Sequence, residues 1–582
     1  MEPNSVPRPT RSLTAELEGL LGDPLASSGP FSFAEVVRHE ELDEIPPGAE
    51  RLLLDWGLPE RLVPAVAGGR MLNLESVLAV TRSLARRNLT MAVMFGSSML
   101  GCQPVWLWGT PEQRKRIAEA VTSGDKLCFG ISEAEVGSDL TTTATTAVLD
   151  GGHYVLDGEK WPVGNGNRAR FYTVLAQGPR GPMLLLVDKR ELAPESVEPK
   201  PIVRALGLRG HDVSGVRFTG SRVPADGAVI GRPGRAMIDT VRTLQITRTA
   251  IGGMSLGSMD AALRIGLDYA HERKLYGAAI YRLPVVRQHL VDAHLDLLIS
   301  DCVAIPVARA LTLAPARLAL WSSVVKYLVP VIGEETLEQM SKVLAARSYL
   351  RELVASGAFQ KIRRDHCITS IFEGTTHVNL FNIATQLAAL APLADRAAEG
   401  SEELLARLFD LSAEAPVWEP DGNKLALSTN GQDEITRGWR TAVERLAEVA
   451  AAECPPGQDR DLAEVVAELD RRRTALYGRI AEHGIEAASV AGSRTAEDHC
   501  VFHAASSCVH VWLHNRGDAP DAGWLVLVLR RLLQRLDRDV VLDAREAYLP
   551  GLEAVMEDCR VSRRYFGLEA VLEAAPEHGA RG

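Results

Sequence analysis

The chain has 582 residues, of which 46% are hydrophobic and 24% charged, with a formal net charge of -11 at pH 7. This length exceeds what one hydrophobic core supports, so we expect roughly two to four domains of a soluble protein. The acidic balance argues against a nucleic-acid partner, because phosphate binding needs a basic face.

The eight cysteines contain no C-x-x-C pair. Their spacing therefore predicts neither a metal site nor a disulfide framework, and it favours a reducing compartment. The amino terminus has no apolar leader, and no uncharged apolar run is long enough to span a bilayer. We expect a cytoplasmic protein without a transmembrane segment, and the abundance of Arg, Ala, Leu and Val is typical of a GC-rich bacterial genome.

Residues 1–122 are expected to form an amino-terminal helical domain. Apolar residues recur at three- and four-residue spacing over 72–89, and Thr110-Pro111 is typical of a helix start before 112–121. Residues 123–232 change character and predict a small, β-barrel-like domain. Its expected strands, separated by Asp-Gly turns, are 154–156, 171–175, 183–187 and 216–218.

Long helices are predicted again over 236–275 and 284–313, within a third domain of residues 233–396. Small residues between 252 and 258 would allow close helix packing there. Residues 397–582 predict an additional helical domain, interrupted by a loop at 416–431. Its expected helices are 404–411, 434–452, 461–480 and 523–536. The predicted fold class is α+β and mostly α.

The hexapeptide Ile371–Thr376 contains an unusual carboxylate, because Glu373 is flanked by Ile371, Phe372 and Gly374. Acidic side chains are rarely buried unless they are paired or functional. Apolar surroundings raise the pKa of a carboxyl group toward the range that suits a general base. Taken alone, however, the hexapeptide favours a helix start at which Glu373 faces solvent.

Other segments give this hexapeptide a context. Residues 129–139, 158–166, 272–277, 364–365 and 373–375 resemble, in order and spacing, the landmarks of the acyl-CoA dehydrogenase family. The resemblance implies that the third domain is the four-helix bundle of the dehydrogenase core. The region after 396 is similar in placement to the extra helical domain of very-long-chain members and acyl-CoA oxidases.

The resemblance implies FAD-dependent α,β-dehydrogenation of an acyl thioester carried by CoA or by acyl-carrier protein. Glu373 matches the base that removes the α proton, while a hydride passes from the β carbon to flavin N5. The backbone N–H of Glu373 and a flavin ribityl hydroxyl would hold the thioester oxygen, where negative charge develops. Thr247 occupies the position that holds the base in a minority of members, and it cannot serve.

The resemblance also assigns binding residues. Flavin contacts are expected from Phe129, Ile131, Ser132, Gly137, Ser138, Pro162, Val163, Gly164, Arg273, Tyr276, Lys342, Ala346, Thr375 and His377. Substrate contacts are expected from Ser138, Gln245, Arg248 and Gly374. Arg273 matches the arginine that reaches the FAD of a neighbouring subunit, which implies a homo-oligomer, either dimer or tetramer. An electron-transfer flavoprotein is the expected electron partner. Taken singly, Tyr276 and His377 favour a structural role.

Four departures from the family pattern bear on the flavin. Ala134 replaces a Pro, Pro162-Val163-Gly164 replaces Trp-Ile-Thr, Pro284 replaces a Gln, and 342–346 lacks the glycines of Gln-x-x-Gly-Gly. Two alternatives therefore stay open. One is an acyl-CoA oxidase that uses oxygen directly, which the extra carboxy-terminal region also fits. The other is a non-catalytic binding or scaffold member of the fold.

Overall fold

The computed structural model describes residues 9–517, 521–537 and 546–573. Its amino-terminal helices are α1 (Pro9–Leu21), α2 (Phe33–Glu40), α3 (Ala49–Asp55), α4 (Leu74–Trp108) and α5 (Pro111–Thr122). Thr110 caps α5, with its hydroxyl accepting from the Gln113 N–H and with Pro111 in the first turn, so the predicted helix start is confirmed. Helix α4 is interrupted at Asn88, whose backbone is not helical.

An eight-stranded sheet follows α5. Its strands are β1 (Leu127–Gly130), β2 (Thr146–Asp150), β3 (His153–Gly164), β4 (Phe171–Gly178), β5 (Gly181–Asp188), β6 (Val197–Lys200), β7 (Val213–Pro224) and β8 (Val229–Ile230). The strand order is β6-β7-β3-β2-β4-β5-β8, and β1 pairs in parallel with β4. The four predicted strands lie inside β3, β4, β5 and β7. Alternating residues such as Leu156 and Phe218 form a core separate from the helical one.

The third region consists of α6 (Ala236–Glu272), β9 (Lys274–Leu275), β10 (Ala278–Ala279), α7 (Pro284–Leu313), α8 (Leu318–Leu344), α9 (Ala358–His366) and α10 (Thr376–Leu390). Helix α6 ends before the predicted residue 275, because β9 and β10 pair as a short hairpin. Helix α4 packs along α6, and α6 packs on α8. A Cβ atom at Gly257 would lie 2.4 Å from the Arg82 carbonyl oxygen, so this contact requires a small residue.

Helix α8 is apolar enough to test the expectation about membranes. In the described residues, the segment Pro315–Tyr349 has the length and hydropathy of a membrane span, yet 83% of its most apolar window is buried inside the protein. This burial is typical of the core helix of a folded domain.

The carboxy-terminal region is helical, as predicted. It contains α11 (Ser401–Phe409), α12 (Glu434–Arg437), α13 (Trp439–Glu453), α14 (Gln458–His483), α15 (Val490–Asn515), α16 (Gly523–Leu536), α17 (Leu549–Ser562) and α18 (Leu568–Glu573). The predicted single helix over 434–452 is wrong, because the chain divides into α12 and α13 at Gly438. A Cβ atom there would lie 2.9 Å from Leu405 Cδ1. Helix α15 packs on α7 and α10 and joins this region to the bundle.

Candidate active site

Glu373 lies in a tight turn between the short helical turn Cys367–Ser370 and the start of α10. Its φ is +57°, a conformation that non-glycine residues rarely adopt. Gly374 follows with φ +109°, and a Cβ atom there would lie 3.0 Å from Arg248 Nη2. Asn379 Nδ2 donates to the carbonyl oxygens of Gly374 and Thr375 at 2.9 Å each. The turn is therefore held from the side of α10.

Helix α6 holds the same turn from the other side. The Nε of Arg248, which is 6% exposed, donates to the carbonyl oxygen of Glu373 at 2.8 Å. This bond fixes the peptide group that follows the Glu373 side chain. The expected neighbours Arg248, Glu373 and Gly374 are thus brought together. Thr247 lies beside Glu373 and forms a hydrogen bond with its side chain.

The carboxylate of Glu373 is poorly satisfied. Its Oε2 atom is buried and has no hydrogen-bond partner among the described residues. Burial raises the pKa of Glu373, and this effect outweighs the hydrogen bond with Thr247 and the positive charges of Lys326 and Arg248. The predicted direction of the pKa shift therefore agrees with the structure, and the solvent-facing alternative for the Glu373 side chain does not.

Lys326 on α8 is a site residue that the sequence interpretation missed. Its side chain is buried, and Nζ donates to the Thr369 carbonyl oxygen at 2.7 Å and lies 5.8 Å from the centre of the Phe372 ring. Burial lowers the pKa of Lys326 to about 7, although the charge of Glu373 opposes this shift. A single lysine inside the apolar run of α8 is the signal that could have identified it.

The Arg364-Asp365 element lies outside the turn, on α9, and connects α9 with other regions of the fold. Asp365 Oδ1 accepts from the Leu208 N–H at 2.7 Å. Arg364 Nη1 donates to Glu40 Oε1 at 2.7 Å and to the Leu206 carbonyl at 2.9 Å. These bonds join α9 to α2 and to the loop before β7, so the pair fixes the bundle against the other two regions.

The predicted flavin loop begins at the end of β1. Phe129 is buried, Ile131 and Ser132 are half-buried, and Gly137 and Ser138 are exposed. The loop is attached to β3, because the Ser132 carbonyl accepts from the Trp161 N–H at 3.0 Å. Exposed backbone and hydroxyl groups in this loop are compatible with a bound ligand.

A buried ion pair anchors the same loop. Glu133 Oε1 accepts from Lys160 Nζ at 2.6 Å, and it also accepts from the hydroxyls of Thr143 and Thr145. Burial would raise the pKa of Glu133, but the hydrogen bonds from these three residues outweigh burial and lower it to about 2. Lys160 itself is completely buried. This pair was not predicted.

The Pro162-Val163-Gly164 departure has a steric explanation at its last residue. Gly164 lies against α4, where a Cβ atom would be 2.2 Å from the Ser97 hydroxyl oxygen. A threonine therefore does not fit this backbone position while Ser97 is present. Val163 is buried, whereas Pro162 is exposed.

Four predicted flavin residues lie elsewhere. Arg273 and Tyr276 follow α6, and Arg273 lies 25 residues after Arg248, which corresponds to about 37 Å along a helix. Lys342 and Ala346 lie at the end of α8, where Lys342 pairs with Glu338 at 3.0 Å. Tyr276 is 94% exposed and is not a core residue. The chain thus has two separated groups of predicted ligand residues.

Arg273, a member of the second group, borders an open cavity of about 520 Å³. Its wall includes Tyr269, Arg273 and Ala355, and the 64% exposed Leu353 contributes an apolar side chain. Within the described part of the chain, no carboxylate forms an ion pair with Arg273. The wall also carries the acidic side chains of Asp268 and Glu272, and the Arg273 guanidinium beside them is suited to contact a phosphate-bearing cofactor.

The remaining predicted residues are Thr375 and His377, which lie beside the turn, and Gln245 on α6, which contacts the carboxy-terminal region. Thr375 is the N-cap residue of α10, but its hydroxyl makes no capping bond and is available to a ligand, and His377 is exposed. Gln245 is buried, with Nε2 donating to the Ala426 carbonyl at 2.7 Å. Its Oε1 has no partner within the described residues. The loop at 416–431 therefore reaches a residue predicted to face substrate.

Comparison with known families decides the identity of this arrangement. The amino-terminal, middle and carboxy-terminal domain models of acyl-CoA dehydrogenases match residues 33–125, 128–221 and 237–388. The chain belongs to the acyl-CoA dehydrogenase family. Its members are flavin-dependent enzymes, so the predicted family, fold class and enzyme class are confirmed. The three models do not cover the region after residue 388.

Individual relatives are distant. A probable acyl-CoA dehydrogenase, FadE25, of Mycobacterium tuberculosis is 26% identical over 322 residues, covering 54% of this chain and 81% of its own. An acyl-CoA dehydrogenase of Bacillus anthracis, solved in complex with FAD, superposes with a TM-score of 0.62 at 19% identity over 94% of this chain and 95% of its own. The prolyl acyl carrier protein oxidase AnaB superposes with a TM-score of 0.57 at 20% identity over 65% and 98%. The second likeness extends the shared fold into the carboxy-terminal region.

Proposed function

We propose that this acyl-CoA dehydrogenase family member removes the α proton of an acyl thioester with Glu373, in an FAD-dependent α,β-dehydrogenation. The observation that carries the proposal is the buried, unpartnered Oε2 of Glu373. A carboxylate with one buried oxygen free of hydrogen bonds among the described residues, and with a raised pKa, is suited to accept a proton from carbon. Bound FAD would supply the acceptor for the β hydride.

Besides the proposed base, the chain provides residues that hold Glu373 in position. Arg248 holds the carbonyl of Glu373, and Asn379 holds the carbonyls of the two residues that follow. These bonds fix the turn and with it the direction of the Glu373 N–H. We propose that this N–H donates a hydrogen bond to the thioester oxygen, where negative charge develops as the α proton leaves. The charges of Lys326 and Arg248 both oppose the effect of burial on the pKa of Glu373, so they favour its ionised form.

Two separate groups of residues in this chain are suited to contact FAD. Ile131, Ser132 and Ser138 present backbone and hydroxyl groups in a partly exposed loop that the buried Glu133–Lys160 pair anchors. The Arg273 guanidinium, which has no ion-pair partner in the described part of the chain, suits a pyrophosphate. Because Arg273 lies about 37 Å along α6 from Arg248, we propose that it serves the FAD of a neighbouring subunit in a homo-oligomer.

Two candidates differ in the thioester carrier and in the electron acceptor. The likeness to a prolyl acyl carrier protein oxidase supports a carrier-linked substrate and direct use of oxygen as a second candidate. Relatives named acyl-CoA dehydrogenases support a CoA-linked substrate and transfer of electrons to a flavoprotein. Substrate-reduced enzyme mixed with air separates the two, since rapid peroxide formation indicates the oxidase.

Glu373→Gln tests the proposal, because the amide keeps the shape of the side chain and removes the base. We expect flavin to stay bound while anaerobic flavin bleaching by acyl-CoA and acyl-carrier-protein substrates slows by at least about a thousandfold. Glu119→Gln, an exposed glutamate on α5, is the matched control and should bleach normally. Normal bleaching in the Glu373→Gln variant would place the base elsewhere.

A further inference from the structure

Three metal-ligating side chains meet in the interior of the carboxy-terminal region. Asp433, His499 and His503 are completely buried, and one potential ligand atom from each lies within 4.8 Å of the other two. The histidines are four residues apart, on one face of α15. Asp433 precedes α12 and caps it. The three side chains therefore come from two elements that tertiary packing brings together.

Three of the four ring nitrogens of His499 and His503 have no hydrogen-bond partner within the described residues. His499 Nδ1 bonds with the Tyr477 hydroxyl at 2.8 Å, but His499 Nε2 has no hydrogen-bond partner in the described chain and points to Asp433 Oδ2 at 3.9 Å. Neither ring nitrogen of His503 has a partner among the residues that the structure describes. Each buried polar group without a partner costs about 1–3 kcal/mol. One nitrogen of each histidine lies near the Asp433 carboxylate, so an ion bound there would provide a partner for two of these three nitrogens.

Asp433 is held in place on its other side. Its Oδ1 accepts from Trp321 Nε1 at 2.8 Å, and Oδ2 also accepts from the Thr436 hydroxyl. Tyr477 fixes the ring of His499 in the same way. Partners that orient ligand side chains through their second atoms are typical of metal centres.

We propose that Asp433, His499 and His503 bind a divalent transition-metal ion, with zinc as the expected occupant. Two imidazole nitrogens and one carboxylate oxygen are ligands that Zn²⁺ accepts, with a water as the fourth. Atoms bound at about 2 Å in a tetrahedral site lie about 3.4 Å apart, so the ligands need to approach by about 1 Å. The cysteine pattern predicted no metal, and the signal lies in the His-x-x-x-His spacing instead.

The position of the cluster indicates a structural role. Trp321 belongs to α8 of the dehydrogenase bundle, whereas α12 and α15 belong to the carboxy-terminal region. The neighbouring ion pair of Arg317 with Glu434 crosses the same boundary at 2.6 Å. A bound ion would fix α15 to Asp433, and through Trp321 to the bundle. This proposal does not depend on the role of Glu373.

The test is the metal content of the FAD-loaded full chain. Protein without an affinity tag is produced in zinc-supplemented medium, dialysed against metal-free buffer and analysed by elemental mass spectrometry. We expect about one zinc per chain in the wild type, and a loss of at least about tenfold in Asp433→Asn and His503→Gln. His514→Ala, which removes a histidine from the same helix outside the cluster, should retain zinc.

A second readout is the response to a chelator. Addition of a strong chelator should lower the thermal midpoint of the wild type and of His514→Ala, and leave that of Asp433→Asn unchanged. Fewer than about 0.1 metal ions per wild-type chain, after zinc supplementation, would overturn the proposal even if the variants do not fold. Equal zinc in Asp433→Asn and His514→Ala would overturn it as well.

Discussion

Lys326→Met tests the electrostatics of the catalytic turn most directly. Burial lowers the pKa of Lys326 from 10.5 to about 7, so the charged form costs the folded protein about 5 kcal/mol at 1.36 kcal/mol for each of about 3.5 pKa units. Methionine has a similar length and carries no charge. Its introduction leaves the Thr369 carbonyl without its donor, at a cost of about 1–3 kcal/mol. At pH 6 we therefore expect the variant to be about 2–4 kcal/mol more stable than the wild type.

The sign of the pH dependence follows from linkage. The pKa of Lys326 in the folded state lies below its unfolded value, so between pH 7 and 10.5 the unfolded chain binds the additional proton. Wild-type stability therefore rises with pH in this window, and the variant lacks that rise. Between pH 6 and pH 9 the difference in the free energy of unfolding between Lys326→Met and the wild type should become smaller by about 3 kcal/mol.

Urea unfolding of the wild type and of Lys326→Met at pH 6 and pH 9 measures this difference. Lys115→Met is the control, because it removes an exposed lysine on α5 and should show no narrowing. A stability difference between Lys326→Met and wild type that does not change with pH would refute the assignment of a buried, easily deprotonated ammonium to Lys326.

The same substitution should change catalysis. The Lys326 ammonium opposes the rise in the pKa of Glu373, so its removal raises that pKa further. We expect the acid limb of the kcat profile to move to higher pH, with a larger loss of activity at pH 6 than at pH 8. An acid limb at the wild-type pH would show that Lys326 does not influence the base.

The remaining predictions concern the turn and the two cofactor regions. Gly374→Ala places a methyl group 3.0 Å from Arg248 at φ +109°, so we expect kcat to fall at least about tenfold with flavin retained, and an unchanged kcat would contradict this. Arg273→Ala should raise the dissociation constant of FAD at least about tenfold, measured by fluorescence titration, and equal affinity would exclude a phosphate contact. Glu133→Gln leaves the Lys160 ammonium buried without its partner and should cost about 3–5 kcal/mol in urea unfolding at pH 7. In the wild type the contribution of this lowered pKa to stability is present above pH 4.5, and it is lost as the pH falls from 4.5 to about 2, because the unfolded chain binds the proton first.

The sequence identified the parts of the fold that local patterns encode. Thr110-Pro111 predicted the start of α5 because a cap residue and a proline act locally. Helix α15 was not predicted, since its side chains are buried around most of its circumference and its sequence lacks an amphipathic period. The division at Gly438 depends on Leu405, which is distant in sequence and becomes a neighbour only in the folded protein.

The same distinction applies to the site. Glu373 was proposed as the base because its hexapeptide follows the other family landmarks in order and spacing, whereas the hexapeptide alone favoured a helix start. Lys326 was not predicted, because its significance depends on Thr369 and Glu373, which follow it by more than 40 residues. The glycine at 164 was a departure from the family pattern without an explanation in the sequence, because its steric reason, the hydroxyl of Ser97, depends on the packing of α4 against β3.

A comparison of Glu133 with Glu373 explains why we propose Glu373 as the base. Glu133 accepts hydrogen bonds from Lys160 and from the hydroxyls of Thr143 and Thr145, and its pKa is lowered to about 2. Such a carboxylate has little affinity for a proton at neutral pH. Glu373 has a buried oxygen without a partner, a raised pKa and a positive φ, each of which makes its folded state less stable. Substitutions at Glu373 that remove these unfavourable features should therefore raise the free energy of unfolding while they lower turnover. Glu133 has no such unfavourable feature, so its substitution should only lower the free energy of unfolding.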